Sequence, residues 1–246
     1  MISPAAPQSA TAVNAKHRRH VLWLAGFFGL LTLGLGIAPR HRQDWILENT
    51  LVAAALLVLW AIYRHLPFSR LSWTLVFIFL SLHEVGAHYT YSEVPYLDWW
   101  HWLAGTAPPA PLAGERNHFD RVIHFFYGLL LAYPVREILL HLVKVRGFWS
   151  YFLPLDLTLS TSALYELIEW TAAEVFGGDL GIAYLGTQGD PWDAQKDMAL
   201  GAAGALLAMI LTFLINRRYQ RDFAQEWTDS LRIHPPPDSP LPPPQP

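Results

Sequence analysis

Long uncharged apolar runs set the pattern of this chain. No charge falls between Val21 and Ile37 or between Leu71 and Leu82, and Met198 to Ile215 is eighteen residues without one. A membrane span needs about 20 mostly apolar residues, with a range of roughly 17–25. The pattern predicts six helices, over 21–38, 46–63, 71–89, 118–143, 151–176 and 195–215. The first could pass for a signal peptide, since Lys16, Arg18 and Arg19 precede an apolar run ending in Gly36-Ile37-Ala38. The run is long for a signal-peptide core of roughly 7–15 residues, so it is read as the first span. The expected fold is all-α: a polytopic membrane protein with six transmembrane helices. It divides into a cytoplasmic N-terminal segment (1–20), a six-helix domain (21–220) and a disordered Pro-rich cytoplasmic tail (221–246). From Pro235 to Pro246 there are eight prolines in twelve residues, which suits neither helix nor sheet.

Basic residues orient the helices. One side of the predicted bilayer carries Lys16, Arg18, Arg19, Arg64, Arg70, Lys144, Arg146, Arg217, Arg218, Arg221 and Arg232, and the other only Arg40, Arg42 and Arg116. Cytoplasmic connections concentrate Lys and Arg, so both termini are expected in the cytoplasm, as an even number of spans requires. The aromatic stretch Tyr96–Leu103 is too short to span. It reads as an amphipathic piece on the outer membrane surface.

Composition agrees with this reading. Of 246 residues, 52% are hydrophobic and 15% charged, against roughly 25% charged in soluble domains. A soluble enzyme and a nucleic-acid binder are thereby excluded. The chain has no cysteine, so disulfides, iron–sulfur clusters and thiolate zinc sites are excluded too.

Ionisable residues inside spans are costly and therefore functional suspects. The third helix carries His83, Glu84 and His88 near its outer end, and the fourth opens with His118, Asp120, Arg121 and His124. The fifth carries Glu166 and Glu169 in its outer half, and the sixth opens with Asp190, Asp193 and Asp197. Helices of alternating direction bring all of these to the outer side. At a rise of 1.5 Å per residue, His83, His124, Glu169 and Asp197 each lie about 9–11 Å below the outer helix ends. Imidazole and carboxylate without sulfur suit Zn, Mn or Fe. The expected metal ligands are His83, Glu84, His88, His124, Glu169 and Asp197, with Glu166 or Asp120 as general base. Plainer readings stand beside these. Asp190 before Pro191 reads as an N-cap, Arg136, Glu137 and Asp156 read as inner-end ion pairs, and the whole cluster could be polar glue between helices.

Four segments carry a family resemblance. They are His-Glu-Val-Gly-Ala-His-Tyr-Thr-Tyr (83–91), Arg-Asn-His-Phe-Asp-Arg-Val-Ile-His-Phe (116–125), Tyr-Glu-Leu-Ile-Glu-Trp (165–170) and Gly-Asp-Pro-Trp-Asp-Ala-Gln-Lys-Asp-Met (189–198). Together they resemble the YjdF-like bacterial inner-membrane proteins, a family defined by a domain of unknown function. The Glu-rich fifth helix followed by Asp-x-x-x-Asp-Met also resembles VanZ-like membrane proteins. The resemblance implies an inner-membrane location and six helices, and it supplies no reaction.

Three functions remain open at this point. One is a metal-dependent hydrolase or transferase acting on a lipid or other amphiphile at the periplasmic face. The second is a small transporter or cation- or proton-binding protein. The third is a structural or assembly protein with a polar glue cluster. The expected partners are the lipid bilayer and an amphiphilic substrate, and a homo-oligomer stays open.

Overall fold

A computed structural model of the chain describes residues 10–65, 68–109, 114, 116–178, 181 and 185–233. Among the described residues it contains eight α-helices and no strand. They are α1 (Ala10–Gly36), α2 (Arg42–His65), α3 (Arg70–His88), α4 (Tyr96–Ala104), α5 (Phe119–Ile138), α6 (Trp149–Phe176), α7 (Asp193–Tyr219) and α8 (Phe223–Ile233). A π-helical turn, Leu139–Val143, extends α5.

Among the described residues, five helices are long and apolar enough to cross a membrane: Ala15–Gly36, Arg42–Ala61, Arg70–His88, Phe119–Val143 and Asp193–Tyr219. The remaining long helix, α6, has 28 residues but carries Asp156, Glu166, Glu169 and Glu174. The outward faces are apolar. Leu22, Trp23, Phe27, Leu30 and Leu33 stand exposed on α1, and Leu206, Leu207, Ile210, Leu211 and Phe213 on α7. Monomeric soluble proteins rarely expose contiguous apolar patches beyond a few hundred Å², so these faces are made for lipid.

α5 is the central element. It packs on α7 most closely, then on α3 and α6, while α1 and α2 lean on α3. The α5–α7 crossing is made by glycine. A Cβ added at Gly128 would strike the carbonyl oxygen of Gly201, and one at Gly204 would strike that of Phe125. Small residues let helix backbones meet where lipid gives no hydrophobic drive to associate. Ala132, Ala205, Ala208 and Met209 continue the contact, and a second cluster of Phe28, Val52, Val76 and Leu80 joins α1, α2 and α3.

Several expectations need correction. The first helix begins at Ala10, ahead of residue 21. Part of the 221–246 segment read as disordered is the amphipathic helix α8, while the proline run at 235–246 lies outside the described residues. The inner ion pair is Arg136 with Asp222, not with Asp156, which is exposed. Arg136 is fully buried, donates to both Asp222 oxygens and to the Ser150 carbonyl, and lies 4.4 Å from the Tyr151 ring centroid. Burial alone would raise the Asp222 pKa, but the bonds from Arg136 hold it below the ordinary carboxylate range. The two oxygens fasten the start of α8 to the bundle.

Candidate metal centre at the head of the bundle

The chain reversal after α3 explains the 83–91 segment. Thr90 and Tyr91 take positive φ, at 55° and 48°. The Tyr91 N–H then returns to the Gly86 carbonyl at 2.8 Å. The Tyr91 ring lies over Gly86, where a Cβ would come within 2.6 Å of it. Its hydroxyl reaches His83 Nδ1 at 2.5 Å. Glycine at 86 thus gives room for the ring that holds the histidine.

The start of α5 is held by its surroundings rather than by its own cap. Asn117 Oδ1 accepts from the Phe119 N–H at 3.0 Å, and the Asn117 N–H donates to Gln188 at 2.8 Å. Arg116 donates to the Thr187 carbonyl and to Asp193, and Arg121 to Asp190 and Asp193. These half-buried pairs bolt the heads of α5 and α7 together. Asp190 does not cap the sixth span. That helix starts at Asp193, and Asp190 Oδ1 accepts from the Trp192 N–H at 3.1 Å. Lys196, the Trp192 N–H and Arg121 hold Asp190 well below the ordinary carboxylate range. His118 sits beside this network, and burial, with Arg121 and Arg116 nearby, lowers its pKa.

Below the network lies the site. Asp120, His124 and Asp197 each offer a ligand atom, and the three atoms lie within 4.8 Å of one another. His124 Nε2 is 3.6 Å from Asp120 Oδ1 and 3.9 Å from Glu166 Oε1. Both distances exceed hydrogen-bond range, yet two ligands bound at about 2.0–2.2 Å to one ion can be this far apart. Glu166 Oε1 and Asp197 Oδ1 are buried without a hydrogen-bond partner. A buried carboxylate oxygen left in this way is costly, and a divalent cation would satisfy it. Residues of this type therefore fit a metal.

His83 stands to one side with Glu48 of α2, its Nε2 3.9 Å from Glu48 Oε2. Glu169 adjoins Glu166 and Tyr165 and lines a small polar cavity with Asp44, Glu48 and Asp120. Glu84 and His88, expected as ligands, turn the other way. Glu84 faces Thr32 of α1, and His88 Nδ1 lies 2.7 Å from the Leu35 carbonyl. Glu84 follows His83 by one residue, about 100° around the helix, so both cannot face the cluster.

Asp44 and Glu48 were missed. No candidate residue was expected on the second span, yet both side chains are buried facing the cavity. The signal was present: two acids at i and i+4 opening an otherwise apolar span. Tyr91 was noted within its segment but given no role.

A cavity of about 200 Å³ descends from the cluster. His83, Tyr91, Asp120 and His124 line its polar end, and Leu51, Val52, Ala55, Phe79, Leu80 and Ile123 its apolar walls.

Fold and surface together define a multi-pass helical membrane protein. The chain belongs to the DUF2238 family, described as predicted membrane proteins, whose pattern matches residues 20–218. Inner membrane protein YjdF of Escherichia coli (strain K12) is 37% identical over 195 residues, covering 79% of this chain and 89% of that protein. No solved structure matches the chain. The protein is accordingly a multi-pass protein of the inner membrane.

Proposed function

We propose that the protein is a metal-dependent membrane enzyme that hydrolyses, or transfers a group from, an amphiphile. The observation that carries this reading is the convergence of Asp120, His124 and Asp197 at the polar end of an apolar cavity. An amphiphile has the same division, with a polar head to meet the ligands and a tail to lie along Val52, Ala55 and Leu80.

We infer six spans with both termini cytoplasmic and the site towards the periplasmic face, a reading supported by the excess of Lys and Arg in the connections on the opposite side. The outward-facing Leu157, Leu159, Leu164, Leu167 and Ile168 of α6 support this helix as a span beside the other five, since its acids Glu166 and Glu169 turn inward. A reporter enzyme active only in the cytoplasm should work when fused after Arg221 and be silent in the 90–117 connection.

His124, Asp120 and Asp197 would hold the ion, which would supply Lewis-acid polarisation of the head group. Glu166 Oε1, unpartnered and beside His124, would take the proton of the attacking hydroxyl or water and return it to the head-group oxygen that leaves as its bond breaks. Asp120 belongs with the ligands, so Glu166 is the better base.

The test uses purified protein in nanodiscs of inner-membrane lipids, supplied with Zn or Mn, and follows lipid masses over time. A head-group change that His124→Ala abolishes is the expected result. No change in any lipid with a fully metal-loaded protein rejects the enzyme reading.

A further inference from the structure

We propose that a second divalent cation binds between His83 Nε2 and Glu48 Oε2, with Asp120 shared between it and the ion held by His124 and Asp197. This deepens the reading above and rests on it. The site would then be a two-ion centre of nitrogen and oxygen ligands.

Geometry carries the inference. His83 Nε2 and Glu48 Oε2 face each other at 3.9 Å, with side chains 10% and 7% exposed. Neither atom has a hydrogen-bond partner. The gap is too long for a hydrogen bond and fits an ion bonded to both at about 2.0–2.2 Å. The Tyr91 hydroxyl at Nδ1 fixes the ring so that Nε2 is the nitrogen facing Glu48. Metal-bound histidines are commonly steadied through their other nitrogen in this way.

Asp120 lines the cavity that holds His83 and His124, and also the small cavity that holds Glu48 and Glu169. It therefore stands between the two pairs. Glu169 and Asp44 line the small cavity with Glu48 and are the carboxyls left to complete the second ligand set. Charge points the same way. Asp44, Glu48, Asp120 and Glu169 line the two cavities and Glu166 and Asp197 adjoin them beside His124, while Arg116 and Arg121 are already bonded to Asp190 and Asp193. A divalent ion at each pair would give these buried carboxyls a partner.

Full-length protein in nanodiscs, titrated with Mn(II), should bind two equivalents and give the electron-paramagnetic spectrum of a spin-coupled pair. Glu48→Gln and His83→Ala should each bind one equivalent with the spectrum of an isolated ion. Glu48→Gln keeps the shape of the residue, and gel filtration verifies that each variant is folded. Tyr91→Phe should weaken the second equivalent by about tenfold and leave the first. One equivalent in wild type, lost in His124→Ala and retained in Glu48→Gln, overturns the second ion while the mononuclear site stands. Two uncoupled equivalents overturn the shared Asp120. No Mn(II) bound by folded wild type rejects both readings.

Discussion

Gly128 of α5 lies directly on the Gly201 carbonyl of α7, and this contact sets the spacing of the site. His124 precedes Gly128 by one helical turn, and Asp197 precedes Gly201 by one turn. The two proposed ligands therefore stand on the faces that the glycine crossing presses together.

The two glycines differ in what they tolerate. A Cβ at Gly201 would make ordinary contacts, with Ser162 Oγ at 3.4 Å and the His124 carbonyl at 3.6 Å, so Gly201→Ala should be nearly silent. Gly128→Ala and Gly204→Ala would drive a methyl into backbone. Overpacking of this kind costs about 1–3 kcal/mol, and both variants should melt several degrees lower and bind metal weakly. Thermal unfolding of the detergent-solubilised protein, with metal analysis of the same samples, reads both effects. Equal behaviour of the three variants would refute the crossing as the spacer.

The proposed ligand roles divide by helix face. His124→Ala and Asp197→Asn should each lower metal affinity by at least tenfold. Glu84→Gln and His88→Ala should leave it unchanged, because both side chains face α1. Isothermal titration with Zn(II) makes the comparison. Loss of metal in the Glu84 and His88 variants would mean that the first span belongs to the site.

Gly86→Ala tests the reversal after α3. The added methyl meets the Tyr91 ring and forces it off His83. The variant should fold and keep the His124 ion, yet lose the hydrogen bond at His83 Nδ1. Imidazole signals in NMR of histidine-labelled protein should change at one residue. An unchanged spectrum would show that the ring is not held by this contact.

Docking of α8 should depend on pH. The Asp222 pKa is lower in the folded protein than in the unfolded chain, so its contribution is full above the unfolded value near 3.9. It fades as pH falls through the lower folded value. Trp227 of α8 stacks on His17 of α1, with ring centroids 5.6 Å apart, so tryptophan fluorescence should report release of α8 below about pH 4. Asp222→Asn leaves Arg136 buried with its charge unmatched, which costs roughly 3–5 kcal/mol. In that variant α8 should be loose already at neutral pH, with no acid transition. A wild-type transition that survives in Asp222→Asn would assign it to another group.

Much of the fold was legible before any coordinates. The helix positions follow from runs such as Leu71–Leu82 and Met198–Ile215, because a bilayer admits few structures for such segments. His124, Asp197 and Glu166 were legible for the same reason, since ionisable groups in spans stand out against an apolar background. Glu48 was equally visible, but its span gave no sign of the side it faced. α8 was obscured by the prolines that follow it, although Phe223, Trp227 and Thr228 repeat at helical spacing.

The sequence by itself determined the membrane class, the positions of the long helices and the pool of His and carboxylate side chains from which a site is built. These are local properties, read from hydrophobicity and 3.6-residue periodicity along one helix at a time. Only the tertiary structure decided which members of the pool meet. It turned Glu84 and His88 towards α1, brought Glu48 opposite His83, and set His124 against Asp197 through the Gly128–Gly201 contact. The rotation of each helix about its own axis is fixed by packing against its neighbours, and no single segment of the chain encodes it.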